Sequence, residues 1–256
     1  VGSEMCIRDS CKRGLMIKND ECLDDLQNGL FIIQKKNGFK FGIDAVLLSD
    51  FAKETRSKKT LDLCTGTGIV PLLLSAKTNT PKIFGLEIQE EIAQMAQRSV
   101  EHNKLEDRIS IECGDLKTAV SIYGRDSFDK ITCNPPYMKC GSGNQNDIDT
   151  KSISRHEVMC TVDDVINVSA KLLIPKGRFF MIHRPNRLVD IMCAMRKYKI
   201  EPKRMRFVHP SYDKVPNMVL IEGMRDGGEE LKLLPPLYVY NQDGTYSDEI
   251  HKIYGN

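Results

Sequence analysis

The sequence predicts an α/β fold built on a mostly parallel, doubly wound sheet, and three observations predict it. From residue 60 onward short apolar runs alternate with helical patterns, the signature of strands linked by crossover helices. Two glycines stand in a turn directly after the first of those runs. The last two runs are joined by a link too short for a crossover helix, so they form an antiparallel pair at the end of the sheet. The 256 residues suffice for one such domain with small appendages. Residues 1–22 are left as an unassigned N-terminal tail and 23–256 as the domain.

Taken in order, GLFIIQKKNGFKFGI (29–43) reads as a hairpin: an apolar strand, the turn signal Lys-Lys-Asn-Gly, then Phe39 and Phe41 alternating with polar residues. AVLLSDFA (45–52) reads as a short helix with Asp44 placed to cap it. TLDLC (60–64) is a buried strand, IVPLLLSAK (69–77) a helix and KIFGLE (82–87) a strand. EEIAQMAQRSVEHN (90–103) puts Ile92, Met95, Ala96, Ser99 and Val100 on one helical face. ISIEC (109–113) and FDKITC (128–133) are strands. VDDVINVSAKLL (162–173) is a helix that stops at Pro175-Lys176-Gly177. RFFMIH (178–183) is a strand, RLVDIMCAMRKY (187–198) a helix, and MRFVH (205–209) and MVLIEGM (218–224) are the late strands. In the tail, Asn241-Gln242-Asp243-Gly244 is a turn that closes an edge.

Composition is that of an ordinary globular domain, 41% hydrophobic and 28% charged, and the net charge of +2 neither requires nor excludes nucleic acid. The nine cysteines include no Cys-x-x-Cys pair, so they read as reduced thiols of a cytoplasmic protein, with no metal expected. No apolar stretch approaches a membrane span, and VGSEMCIRDS at the start lacks the apolar core of a signal peptide.

Chemistry gathers at the strand ends. Gly66 and Gly68, in LDLCTGTGIV, follow the first buried strand. In an open α/β sheet that is where ligands bind, although a tight strand-to-helix turn would use the same residues. A dinucleotide fingerprint wants a third glycine where this chain has Pro71. Glu87 ends the next strand, where a carboxylate can accept both hydroxyls of a ribose or simply be solvated. Asp115 ends the third, within reach of an adenine edge or an amino group. Asp62, inside the first strand, needs a partner because burying it alone is costly; capping a neighbouring turn would also satisfy it.

The most specific signal is Asn134-Pro135-Pro136-Tyr137 after the fourth strand. Consecutive prolines stiffen the turn. The Asn134 side-chain oxygen and the Pro135 carbonyl can both accept from one NH₂ group, and Tyr137 can stack on a flat base or amide. An exocyclic amine is a poor nucleophile because its lone pair is delocalised. Paired acceptors favour a pyramidal nitrogen and stabilise the positive charge that grows on it.

With these residues the chain resembles the class I S-adenosyl-L-methionine-dependent amino-methyltransferases, and within them the valine-tRNA adenine-N6 methyltransferases. FKFGIDAVLLSDF, LDLCTGTGIVPLLL, NPPY, Arg155-His156-Glu157 and VPNMVLIEG carry the likeness, which spans roughly residues 23–250. The resemblance implies a Rossmann-like, doubly wound, seven-stranded sheet, mostly parallel with an antiparallel last strand, preceded by the N-terminal hairpin. It implies S-adenosyl-L-methionine as cofactor, with Gly66 and Gly68 at its methionine part, Glu87 at its ribose and Asp115 at its adenine; Asp62 joins this cofactor set. It implies that Asn134, Pro135 and Tyr137 hold the target amine, with Pro136 among the substrate contacts, and that the partner is RNA, in particular tRNA beside the anticodon.

Weaker signals surround this centre. RKYKIEPKRMR (196–206) is basic, and Lys203 and Arg204 there are candidate phosphate contacts or merely a solvated helix end and edge strand. Arg155 and His156 follow the polar segment GSGNQNDIDTKSIS and are candidate RNA contacts from a substrate loop. Competing readings are a protein-glutamine methyltransferase, set back by the absence of a preceding helical domain, a noncatalytic RNA-binding module, and a dehydrogenase disfavoured by Pro71.

Overall fold

The computed structural model of the chain describes residues 17–26, 29–38, 40–136 and 160–255. Eleven strands and seven helices follow in order among the described residues: β1 (Glu21–Asp25), β2 (Phe31–Lys35), α1 (Ile43–Lys53), β3 (Lys59–Leu63), α2 (Ile69–Lys77), β4 (Lys82–Glu87), α3 (Glu90–His102), β5 (Ile109–Cys113), α4 (Ala119–Tyr123), β6 (Phe128–Cys133), α5 (Val162–Leu172), β7 (Leu173–His183), α6 (Leu188–Lys197), β8 (Ile200–His209), β9 (Met218–Arg225), β10 (Lys232–Leu233), β11 (Leu237–Tyr238) and α7 (Asp248–Tyr254).

The seven long strands run in the order β5-β4-β3-β6-β7-β9-β8, with the two short strands β10 and β11 along the outer edge of β8. All neighbours are parallel except β9, the last of the seven in the chain, which lies antiparallel between β7 and β8. The chain winds outward from β3 to β5, then returns to β6 and winds the other way. The switch point therefore falls between β3 and β6, the place where such sheets open a crevice at their carboxyl ends.

Strand alternation divides the core in two. Phe180 and Ile182 of β7 face α1, α2 and α7, while Phe179 and Met181 face α5 and α6. All four are fully buried. Lys130, likewise buried on β6, donates from its Nζ to the Ala52 carbonyl at 2.9 Å, in the last turn of α1, where the helix dipole favours a cation.

The N-terminal hairpin exists, but at other residues than the turn signal suggests. β2 pairs backward with β1 in antiparallel register, Leu23 opposite Ile33. Lys36–Gly38 instead turn the chain toward α1. Burial decides between the two turns: Ile32 and Ile33 are both fully covered, and the outward backbone donors of β2 are taken by α3. Ile33 N–H donates to Ser99 Oγ at 2.9 Å and Phe31 N–H to Asn103 Oδ1 at 2.8 Å. Arg98 grips Glu21 with two bonds of 2.6 and 2.7 Å. The hairpin is thus clamped to α3, and β1 begins at Glu21, two residues before the domain boundary placed at residue 23.

Three smaller differences have local causes. Asp44 lies in the first turn of α1 rather than at its cap, which is Gly42. β7 runs back through Pro175 to Leu173 because Lys176 takes a left-handed φ of 65° that lets the strand bulge. Helix α7 follows the Asn241–Gly244 turn, capped by the Ser247 hydroxyl, with Ile250 and Ile253 in the core.

Candidate active site

The carboxyl ends of β6, β3, β4 and β5 stand side by side and bring Asn134, the glycine loop, Glu87 and Asp115 into one row. Leu63 pairs with Cys133, so the loop that leaves β3 and the Asn-Pro-Pro turn that leaves β6 start at the same level on adjacent strands, about 5 Å apart. Pro135 is buried, and Asn134 and Pro136 are half-buried.

The glycine loop has a left-handed backbone at three points: Cys64 (φ 58°), Gly66 (φ 56°) and Gly68 (φ 82°). At Gly68 a side chain would also come within 3.2 Å of Ala96 Cβ, so glycine lets α3 pack against the start of α2. At Gly66 the space where a Cβ would stand is open. Pro71 occupies the first turn of α2, where no helical hydrogen bond needs its missing N–H.

Glu87 is buried and is part of the loop's framework. Its Oε2 accepts from Gly66 N–H at 3.0 Å and its Oε1 from Gln89 N–H at 3.0 Å. The Gln89 side-chain amide also donates to Oε1, at 3.4 Å. A carboxylate has about four acceptor positions, so one is open, and a second is freed for a diol when the Gln89 amide swings aside. Asp115 caps the short turn Leu116–Thr118, its Oδ1 accepting from Lys117 N–H at 2.9 Å, and Gly114 N–H joins it to the Glu87 carbonyl at 2.9 Å.

Asp62 lies beneath this row, 1% exposed, opposite Thr132 of β6, whose hydroxyl donates to Asp62 Oδ1 at 2.6 Å. Burial pushes its carboxyl up to about 7; the Thr132 and Thr65 hydroxyls pull it down and Glu87 adds repulsion. The Thr65 hydroxyl, buried next to it, closes no well-formed hydrogen bond among the described residues. Gly85 makes room for Thr65, since a Cβ there would sit 2.9 Å from its hydroxyl. The thiols of Cys64, Cys133 and Cys160 interact, and all three pKa values are raised, that of Cys64 foremost by its hydrogen bond with Cys133, that of Cys133 by burial, and that of Cys160 by its hydrogen bond with Cys64 and then burial, which keeps them protonated.

This arrangement passes a test for a nucleoside-bearing cofactor. Open space lies beside Gly66, the buried Glu87 carboxylate keeps an acceptor position free, and the buried Thr65 hydroxyl makes no well-formed hydrogen bond among the described residues. Thr65, Thr132 and Gln89 were not visible in the sequence as site residues. Their roles depend on which strands are neighbours, and no local pattern encodes that. His183, buried at the end of β7, is a structural group: burial foremost, then the nearby Arg187 and Arg184, push it down to about 4, and its Nδ1 accepts from Arg184 N–H at 2.8 Å.

Two of the expected substrate contacts are not brought here. Arg204 sits in the first half of β8, toward the opposite end of the sheet, bonded to Glu222 and to Glu54 with its guanidinium over the Phe51 ring. Lys203 donates to the Gly228 and Glu229 carbonyls, both at 3.1 Å. Tyr137, Arg155 and His156 lie outside the described residues. Among the described residues no group of His, Cys, Asp and Glu side chains could hold a metal ion, and no helix is long and apolar enough to cross a membrane.

A doubly wound sheet of seven strands with only the last antiparallel, and this row of groups along its carboxyl edge, is the architecture of the class I methyltransferases. Residues 40–197 match the methyltransferase small domain, and the chain belongs to that family. It is similar to the tRNA1(Val) (adenine(37)-N6)-methyltransferase of Porphyromonas gingivalis, 30% identical over 219 residues, covering 82% of this chain and 85% of that one. The enzyme of the same description from Parabacteroides distasonis is 30% identical over 194 residues, 73% of this chain and 77% of its own. Among solved structures, a predicted O-methyltransferase from Agrobacterium tumefaciens superimposes with a TM-score of 0.67 at 19% identity, covering 83% of this chain and 95% of that one, which is a likeness of fold.

Proposed function

We propose that this chain is an S-adenosyl-L-methionine-dependent methyltransferase acting in the cytoplasm on the N6 of an adenine in tRNA, next to the anticodon. The observation that carries this reading is the spatial order Asn134, glycine loop, Glu87, Asp115 along one edge. It gives an amine-holding corner directly beside a place for a nucleoside-bearing donor. The tRNA1(Val) adenine-37 relatives supply the substrate class.

In this reading the Glu87 carboxylate takes the ribose diol, Asp115 the adenine edge, the Gly66–Gly68 backbone the methionine part, and Asp62 supports the loop from below. When bound, S-adenosyl-L-methionine supplies an electrophilic methyl on a sulfonium. The protein's share is positioning and electrostatics. The Asn134 side-chain oxygen and the Pro135 carbonyl accept the two N–H groups of the adenine amine, turn its lone pair out of the ring plane and stabilise the charge it gains. Tyr137 and Pro136 flank the base. Arg155 and His156 remain candidate RNA contacts. Lys203 and Arg204 are not carried into the proposal, because their partners lie within the fold.

The test is incubation with labelled cofactor and tRNA lacking the modification, followed by nucleoside mass spectrometry. N6-methyladenosine is the expected product. Label appearing in a glutamine of a translation factor, with none in tRNA, would favour the protein-glutamine reading instead.

A further inference from the structure

The carboxyl edge of the sheet does not end at β6. Beyond β7 and β9 it reaches the end of β8, where the loop 210–217 and the turn 240–246 face each other across an open groove of about 540 Å³. β6 and β11 are separated by four strand spacings, which puts the groove at least ~19 Å from Asn134, several nucleotides along an unpaired strand.

Each wall of the groove presents one tyrosine, and the Tyr240 ring is held in place. Tyr212 on one side is 62% exposed and Tyr240 on the other 43%. Tyr246 stacks on Tyr240 (centroids 5.2 Å, planes 13° apart) and on Tyr254 (6.0 Å, 24°), so Tyr240 belongs to a column of three rings. His209 Nδ1 meets the Lys214 carbonyl at 2.8 Å, and Tyr240 N–H donates to the Pro210 carbonyl at 2.8 Å, which ties the two walls together. Rings presented to water in a fixed geometry lose little freedom when they stack on a ligand. The polar lining is mixed: Lys214 is paired with Asp213 at 3.3 Å, and hydrogen bonds from Ser211, then Lys214, hold Asp213 below the usual carboxylate range. An ionised acid in the groove repels phosphate but accepts from the N–H edge of a base. The groove is therefore suited to a base rather than to the backbone.

We propose that this groove binds an unpaired nucleobase of the RNA substrate, flanking the adenine being methylated, by stacking on Tyr240 or Tyr212 with its N–H edge toward Asp213. This rests on the RNA reading above and adds a second anchor to it. The groove would set the register in which the target adenine reaches Asn134.

The test compares wild-type protein with Tyr212→Ala, Tyr212→Phe, Tyr240→Ala and Tyr240→Phe on unmodified tRNA. It measures tRNA affinity at several salt concentrations, cofactor affinity, methyl transfer, and oligomeric state. Wild-type transfer to tRNA is the control for the RNA reading; its absence would sink that reading and this one with it. Given wild-type transfer, each alanine variant is expected to bind tRNA on the order of tenfold more weakly. The salt slope and cofactor affinity should stay unchanged, and both phenylalanine variants should be restored. Tyr212 is on an exposed loop, so its variants keep the measurement valid even if Tyr240→Ala disturbs the ring column. Alanine variants that bind and methylate tRNA like wild type would overturn the groove while leaving the RNA reading intact. So would variants that change only self-association.

Discussion

Asp62 offers the sharpest quantitative check on the site. Its folded carboxyl titrates near 7 against an unfolded value near 3.8, a shift worth about 4 kcal/mol. The folded state binds the extra proton between those two values, so Asp62 makes stability fall as pH rises through that window, and the cost is fully present above 7. Asp62→Asn removes the titration. The amide can accept from the Thr132 hydroxyl and donate to Thr65 Oγ1, which has no good partner. Losing a charge-assisted bond takes back part of the gain, leaving a net stabilisation of about 2–3 kcal/mol at pH 8 in the cofactor-free protein, or roughly 5–10 °C in Tm. At pH 4 the two proteins should be equal. Urea unfolding from pH 4 to 8 gives the difference curve. It must be taken as a difference, because His183 contributes the opposite slope over much of the same range. The same substitution should weaken cofactor binding, since a buried negative charge suits a cationic ligand. A variant no more stable than wild type at pH 8, or two curves that run parallel from 4 to 7, would refute the reasoning.

Asn134→Ala should lower methyl transfer by about 10²–10³-fold, the usual loss when a transition-state hydrogen-bond partner is removed, with cofactor affinity changed only a few-fold by calorimetry. His183 has a folded value near 4 against 6.5 unfolded; the unfolded state binds the extra proton, so stability drops by about 3 kcal/mol as pH falls from 6.5 to 4, and His183→Gln should flatten that limb in acid denaturation. Gly68→Ala meets both a left-handed φ and Ala96 and should cost about 1–3 kcal/mol in chemical denaturation. Arg204→Ala leaves the 2%-exposed Glu222 held by Arg178 alone and should destabilise by about 2 kcal/mol; the salt slope of tRNA binding should not move, and a reduced slope would restore Arg204 as a phosphate contact.

Much of the fold was legible because its signals are local. The helix α2 and the strands β4, β5 and β6 begin and end where the hydrophobic period and the turn residues place them. The acids and glycines at strand ends were legible for the same reason: in an alternating pattern the end of a strand marks the ligand edge before any coordinates exist. The hairpin was misread because two competing turns, around Gly29 and around Gly38, look alike in one dimension. Ser99, Asn103 and Arg98, far along the chain, select the first.

What the sequence by itself determined is the inventory of the edge: Asn-Pro-Pro after one strand, Gly-x-Gly after another and an acid after each of two more, the set that carries the resemblance to the amino-methyltransferases. What only the tertiary structure decided is adjacency. β3 beside β6 puts Thr132 against Asp62 and the Asn-Pro-Pro turn beside the glycine loop. Arg204, a candidate phosphate contact or part of a solvated edge in the sequence, is drawn into the fold by Glu222, and Tyr212 and Tyr240 come to line one groove beyond the end of β8. Pairing between distant strands depends on which surfaces bury each other, and that is a property of the whole chain rather than of any segment.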